Sequence, residues 1–341
     1  MDFSHLKNLA AAAAAAVGLF LSGCAPESAA DPAVATSAGS RTAGDLTAGS
    51  AAAFDAAFQK TWSDGQAELA SYDLEIRRYD TPRHGTALAI FVTETFSDRL
   101  RVKADPGKHP PSDEFPVMKL NLLRNYQTGI YGYNEMQSTF VALQPVDDRP
   151  SGSLVKSSYS VQEWCGTEYA QILFNRNNVR VDSHSYFDGE ADRHFEIEAA
   201  EGAISEDGLL LWARRMAGPF LKAGDSTTLP VLKGLRAHLL DHNRMEWDQV
   251  RLTHLSAPAK VEVPAGTFVT DAYSATWPDD RTLKFYVERE RPFRIVRWET
   301  SGGEQGNLVK STRAQYWKMN EPEGVGELIN LGLRPRSLRS M

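Results

Sequence analysis

Two histidines, a cysteine and a run of carboxylates crowd residues 161–198, the stretch best equipped for chemistry. His184 and His194 flank Asp188-Gly189, a turn signal because both residues tolerate positive φ. Val179, Val181, Ser183, Ser185 and Phe187 fall on one face of the strand before that turn, and Arg180, Asp182, His184 and Tyr186 on the other. The returning strand sets Phe195 and Ile197 on one face and His194, Glu196 and Glu198 on the opposite one. Matching the apolar faces fixes the register and brings His184 and His194 together beside Asp182, Tyr186, Glu196 and Glu198. Imidazoles among carboxylates suit acid–base catalysis or metal ligation. His184, His194, Glu163 and Glu196 are therefore catalytic candidates, and the two histidines are metal-ligand candidates. A hydrogen-bonded polar sheet face is the competing reading.

Cys165, in Trp164-Cys165-Gly166, is a candidate nucleophile. Glu163 and Glu168 nearby would raise its pKa and oppose activation. The alternative is a small buried hydrophobe beside a tryptophan. His238 and His242 stand four apart on a possible helix, a spacing open to metal binding and equally to two exposed helix histidines. The acidic run after Asp188 is no calcium loop, because its sixth and twelfth positions are Arg193 and Ala199. H-E-x-x-H, G-x-S-x-G, the P-loop and C-x-x-C are absent, and no motif implies a cofactor.

The elements that position these residues are mostly strands. Tyr72, Leu74 and Ile76 alternate with charged neighbours. Residues 86–95 are apolar on both faces, which predicts a central strand. Further strands are expected over 117–128, 131–143, 154–164, 261–264, 267–277, 281–287, 293–298 and 308–319. Four prolines make 105–116 a loop. Short helices are expected at 53–62, where Phe54, Phe58 and Trp62 recur every four residues, and at 209–216, capped by Ser205. Residues 235–247 are a weaker helical candidate. The pattern predicts a mainly β fold, a large curved antiparallel sheet or an open barrel or sandwich with one or two short helices. Trp164, Trp277, Trp298 and Trp317 are expected in the core, or lining a ligand cavity.

The N-terminus carries an address. A weakly positive start and a short apolar run over 9–21 have the layout of a secretory signal, too short for a permanent span. The run ends in Leu21-Ser22-Gly23-Cys24, which matches a bacterial lipobox. The expected organisation is a signal peptide over 1–23, lipid on Cys24, a flexible tether over 24–53, a β-rich domain over 54–319 and an irregular tail over 320–341. Several acyl chains on Cys24 would anchor the chain stably, and Ala25 after the cysteine favours the outer membrane. With Cys24 acylated, Cys165 is left without a disulfide partner. The net charge of −7 and the scattered lysines and arginines exclude a nucleic-acid surface.

Several stretches carry a family likeness. They are Trp62-Ser63-Asp64-Gly65-Gln66-Ala67-Glu68-Leu69, Phe91-Val92-Thr93-Glu94, Val117-Met118-Lys119-Leu120-Asn121, Gln162-Glu163-Trp164-Cys165-Gly166 and His184-Ser185-Tyr186-Phe187-Asp188-Gly189-Glu190-Ala191-Asp192. On these, residues 58–299 resemble a family of bacterial lipoproteins often labelled "septum formation inhibitor Maf". The nucleotide pyrophosphatases properly called Maf are cytosolic α/β proteins, and their Ser-x-Ser-Pro-Arg-Arg pattern is absent here. Val263-Pro264-Ala265-Gly266-Thr267-Phe268, Phe285-Tyr286-Val287 and Phe293-Arg294-Ile295-Val296 are similar to periplasmic proteins built on curved antiparallel sheets. The expected function is a periplasmic module that binds a lipid, a glycan or an envelope protein. The alternative is a periplasmic hydrolase using His184, His194 and a carboxylate.

Overall fold

The computed structural model describes residues 53–146 and 149–335. The chain enters its sheet through helix α1 (Ala56–Trp62). Asp55 caps it by accepting the Phe58 N–H at 2.8 Å. The four-residue spacing stacks Phe54, Phe58 and Trp62 along one side, with successive ring centroids 5.0 and 6.3 Å apart.

The strands that follow form one sheet of seventeen. Its first half is β1 (Ala67–Arg78), β2 (Thr81–Ser97), the two-residue β3 (Val102–Lys103), β4 (Glu114–Thr128), β5 (Tyr131–Ala142), β6 (Leu154–Gln162), β7 (Thr167–Phe174), β8 (Asn178–His184) and β9 (Arg193–Glu198). Apart from β3, which pairs with the end of β2, these are successive antiparallel neighbours. The second half is β10 (Ile204–Ser205), β11 (Ser226–Leu232), β12 (Trp247–His254), β13 (Ala259–Val263), β14 (Gly266–Thr276), β15 (Thr282–Glu288), β16 (Ile295–Thr300) and β17 (Gln305–Ala314). β17 runs antiparallel to β1, from Ala67↔Ala314 to Glu75↔Gln305, and joins the halves. Helices α2 (Leu209–Ala213) and α3 (Leu235–Leu240) interrupt the second half.

Period-two patterning explains why the sheet curls. Tyr72, Leu74 and Ile76 of β1 share one core cluster with Val179 and Val181 of β8, Val250 and Leu252 of β12 and Trp298 of β16. One face of the whole sheet therefore surrounds a single core, as strand twist favours in a sheet this wide. This is the expected mainly β fold, an open, curved antiparallel sheet with few short helices. Trp298 fits because its partner across the ladder is Gly306, where a Cβ would lie 2.2 Å from the indole.

β2 is central as expected, and its second apolar face is covered by the chain's own tail. Leu69, Ile90 and Val92 pack on the outer face of the curved sheet with Leu331, which ends the 3₁₀ segment Pro322–Leu331. Ser71 donates its hydroxyl to the Leu331 carbonyl. The tail, patternless in sequence, is thus a lid over the outer face of β1 and β2.

Four expectations are corrected. β11 and β12 were not foreseen: Pro230 masks β11, and the proposed helix over 235–247 hides the start of β12, because α3 stops at Leu240. The strand expected over 308–319 ends at Ala314, and Trp317 sits on a 3₁₀ turn. Trp277 and Trp298 are core, but Trp164 and Trp317 are exposed. Trp164 lies in the β6–β7 turn, where no opposing layer can cover it.

Beside α2 the core holds a buried ion pair. Arg214 donates Nη1 and Nη2 to the two Glu68 carboxylate oxygens at 2.8 and 3.0 Å. It also donates Nε to the Phe293 carbonyl and Nη2 to the Pro292 carbonyl. Both side chains are essentially inaccessible to solvent. Such a pair must overcome a large desolvation penalty, so removing one partner strands a charge in the core. Glu68→Ala should lower unfolding stability by about 3–5 kcal/mol in urea titrations. The double change Glu68→Leu with Arg214→Met should recover most of that loss. A single-mutant loss below about 1 kcal/mol, the scale of an exposed pair, would show that the pair is solvated.

Candidate functional site

The β8–β9 hairpin has the register its apolar pattern demands, with Val181↔Phe195 and Asp182↔His194. His184 and His194 come together, their ring centroids 5.7 Å apart. Each imidazole meets a carboxylate through Nδ1 at 2.8 Å, His184 with Asp192 and His194 with Asp182. Asp182 also accepts from Gln171 and Arg180. Burial alone would raise its pKa, but the hydrogen bonds from Gln171, His194 and Arg180 outweigh it and hold the carboxyl down at about 2.

The other candidates stand apart from this pair. Glu196 accepts from Asn178 at 2.7 Å, and Glu163 accepts the Cys165 N–H at 2.9 Å in the β6–β7 turn. Tyr186 folds over Gly166. The two imidazoles are about half exposed. Among the described residues, no group of three or more His, Cys, Asp or Glu is placed to hold a metal ion. Cys24, with the expected signal and lipidation site, lies outside the described residues.

Cys165 is a free, exposed thiol, which corrects the buried-hydrophobe reading. The hydrogen bond and charge of Glu163 raise its pKa, against activation as a nucleophile. The paired-helix reading of His238 and His242 is also corrected. His238 is buried with Nδ1 against the Asn243 carbonyl, whereas His242 lies beyond the helix end and pairs with Glu190.

A different site emerges where α1 enters the sheet. Helix α2 ends at Arg214, and Arg215 turns the chain with a left-handed φ of 60°. The Arg215 N–H bonds the Trp212 carbonyl, and the Met216 N–H bonds the Leu211 carbonyl. Glycine usually fills such a position, and a side chain there costs roughly 1–2 kcal/mol. Phe293 adopts the same region, with φ 59°. The two strained residues meet, with Arg215 Cζ 4.5 Å from the Phe293 ring centroid.

Beside them opens a cavity of about 450 Å³. Phe58 and Trp62 of α1, Trp212 of α2, Phe220, Tyr273 of β14 and Phe293 supply aromatic wall. Arg214, Arg215, Lys222 and Arg291 also line it, and no carboxylate among the described residues does. Arg214 is held by Glu68, and Arg291 makes two bonds to Asp55. Arg215 donates Nε to the Tyr273 hydroxyl and Nη2 to Asp271, each at 2.9 Å. Lys222 is exposed, with no ion pair among the described residues. Behind the wall, His254 stacks on Tyr273 at 4.1 Å, and burial lowers its pKa. Sequence reasoning missed this site because its walls come from distant segments, most of them turns. Its one local trace is the basic and aromatic character of Arg214, Arg215 and Phe220, and again of Arg291 and Phe293.

No protein-family model matches the chain, and no curated protein matches it. Among solved structures, it is similar to the crystal structure of a beta-barrel-like protein of the domain of unknown function DUF1849 from Brucella abortus. That likeness has a TM-score of 0.41 and 10% identity, and covers 73% of this chain and 98% of that one.

The Asp182 cluster has a testable signature. Its carboxyl lies below its ordinary 3.8 when folded, so its stabilisation is full above that value and is lost as pH falls through about 2. Urea midpoints of the native chain should exceed those of Asp182→Asn at pH 5, and the margin should shrink between pH 4 and 2. A margin independent of pH would refute the assignment.

Proposed function

We propose that the protein is a periplasmic lipoprotein, anchored to the outer membrane by acyl chains on Cys24, whose sheet domain binds an envelope component. The observation that carries the binding reading is the aromatic-walled cavity beside α1, of a size suited to small ligands. The lipobox and the tether expected after it support the anchoring. The hydrolase alternative needs His184, His194 and Glu163 or Glu196 to share a cleft. The solvent-facing histidine pair, with both glutamates engaged elsewhere, supports that reading less well.

Anchoring is tested by growing cells with labelled palmitate. The native chain should take up label and fractionate with the outer membrane, and Cys24→Ser should abolish both. Uptake of label by Cys24→Ser would overturn the assignment. Binding is tested with a neutral naphthylamine fluorophore on the full chain carrying Cys24→Ser, which removes the acyl chains. Thr61→Trp fills the cavity from the α1 side and should weaken fluorophore uptake about tenfold or more. Equal uptake by the two chains would place binding elsewhere.

A further inference from the structure

The cavity is graded from apolar to cationic. Phe58, Trp62 and Trp212 are almost wholly buried and back the wall, Phe220, Leu221 and Phe293 keep partly exposed apolar surface, and Lys222 is exposed while the Arg215 side chain keeps 36% of its accessibility. Charge bookkeeping sharpens the contrast. Glu68 balances Arg214, and Asp55 balances Arg291. Asp271 alone faces two guanidiniums, Arg215 at 2.9 Å and Arg289 at 3.3 Å, while the Asp225 carboxylate, which accepts the Lys222 N–H at 3.1 Å, stands beside Lys222. A positive excess therefore stands at one cavity in a chain whose net charge is −7. Arg215 itself stands at a left-handed φ of 60°, a position glycine would occupy without strain.

We infer that the cavity takes an amphiphile with one apolar chain and an anionic head, the chain lying against Phe220, Leu221 and Phe293 and the head held by Arg215 and Lys222. This rests on the binding-module reading above and specifies the ligand of that site. About 450 Å³ falls toward the lower end of the roughly 300–1,000 Å³ typical of small-molecule sites, which suits one chain better than several. Arg215 reaches the head from a fixed position, because Tyr273 and Asp271 hold its Nε and Nη2 and do not engage its Nη1. A planar guanidinium and an ammonium together recognise either a carboxylate or a phosphate monoester.

The full chain carrying Cys24→Ser is titrated with hexadecanoate, hexadecyl phosphate and hexadecanol, each displacing the neutral naphthylamine fluorophore. At least one of the two anions should bind roughly ten- to a hundredfold tighter than the alcohol, the range expected for a charge-assisted hydrogen bond. The tighter anion names the head as carboxylate or phosphate. Acetate and inorganic phosphate alone should bind far more weakly than their alkyl counterparts. Arg215→Gly suits the left-handed backbone, so folding should survive, and it should bring the anions down to the level at which the same variant binds the alcohol. Lys222→Gln, at an exposed position, should weaken the anions in the same direction. Equal binding of anions and alcohol by the native residues would overturn the inference while leaving the binding-module reading intact. So would short anions binding as tightly as the alkyl ones. If the fluorophore and all three alkyl ligands fail to bind, the reading of the cavity as a binding site falls with it.

Discussion

The Glu68–Arg214 ion pair is the constraint on which this end of the molecule depends. Arg214 lies where α2 stops, Glu68 lies at the start of β1, and the Pro292 and Phe293 carbonyls belong to the β15–β16 turn. The guanidinium also sits 4.1 Å from the Phe91 ring centroid and 5.4 Å from that of Trp62. One side chain thus ties a helix terminus, two strands, a turn and α1 together. A buried arginine tolerates this only because its donors meet acceptors in a fixed fork. The geometry of the cavity follows, since Arg215 is the next residue and Phe293 supplies one of the acceptors.

The opposite half of the core has its own polar bridge. Glu135 of β5 accepts from Arg236 of α3 at 2.9 Å and from the Tyr126 hydroxyl at 2.7 Å. Burial alone would raise the Glu135 pKa, but Arg236 and Arg124 outweigh it and keep the carboxyl below its ordinary value. Asp207 accepts from the Ser157 hydroxyl and the Leu235 N–H, and with less opposite charge close by, burial pushes it up to about 7. Two buried acids thus titrate in opposite directions, and the proximity of arginine decides which. Together they fasten α3 to β5 and β6.

What the sequence revealed follows from how local each feature is. The β8–β9 register was legible because Val181, Phe195 and Ile197 leave one way to bury an apolar face, and the meeting of His184 with His194 follows from it. β2 was legible as a central strand because it is apolar on both faces. The lid over its outer face was not, because a 3₁₀ segment has no amphipathic period long enough to read. Trp164 misled because a tryptophan in a turn has the composition of core and the position of surface. The cavity was hidden for a deeper reason: it is assembled from turns and element ends, where side-chain direction is set by φ values such as those of Arg215 and Phe293.

A sheet this wide that does not close has two loose margins, and each exposed strand margin is a template for another chain. One margin is β9, where Arg193, His194, Glu196 and Glu198 occupy four of six positions. A second copy pairing there would bring ionisable side chains directly opposite one another. The other margin is β10, two residues long and paired in parallel with β11, too short to seed a ladder. The indole of Trp247 donates to the Glu198 carbonyl at 3.0 Å and so occupies one acceptor at the seam. The fold thus limits edge-to-edge polymerisation by charge at one margin and by brevity at the other, without completing a ring.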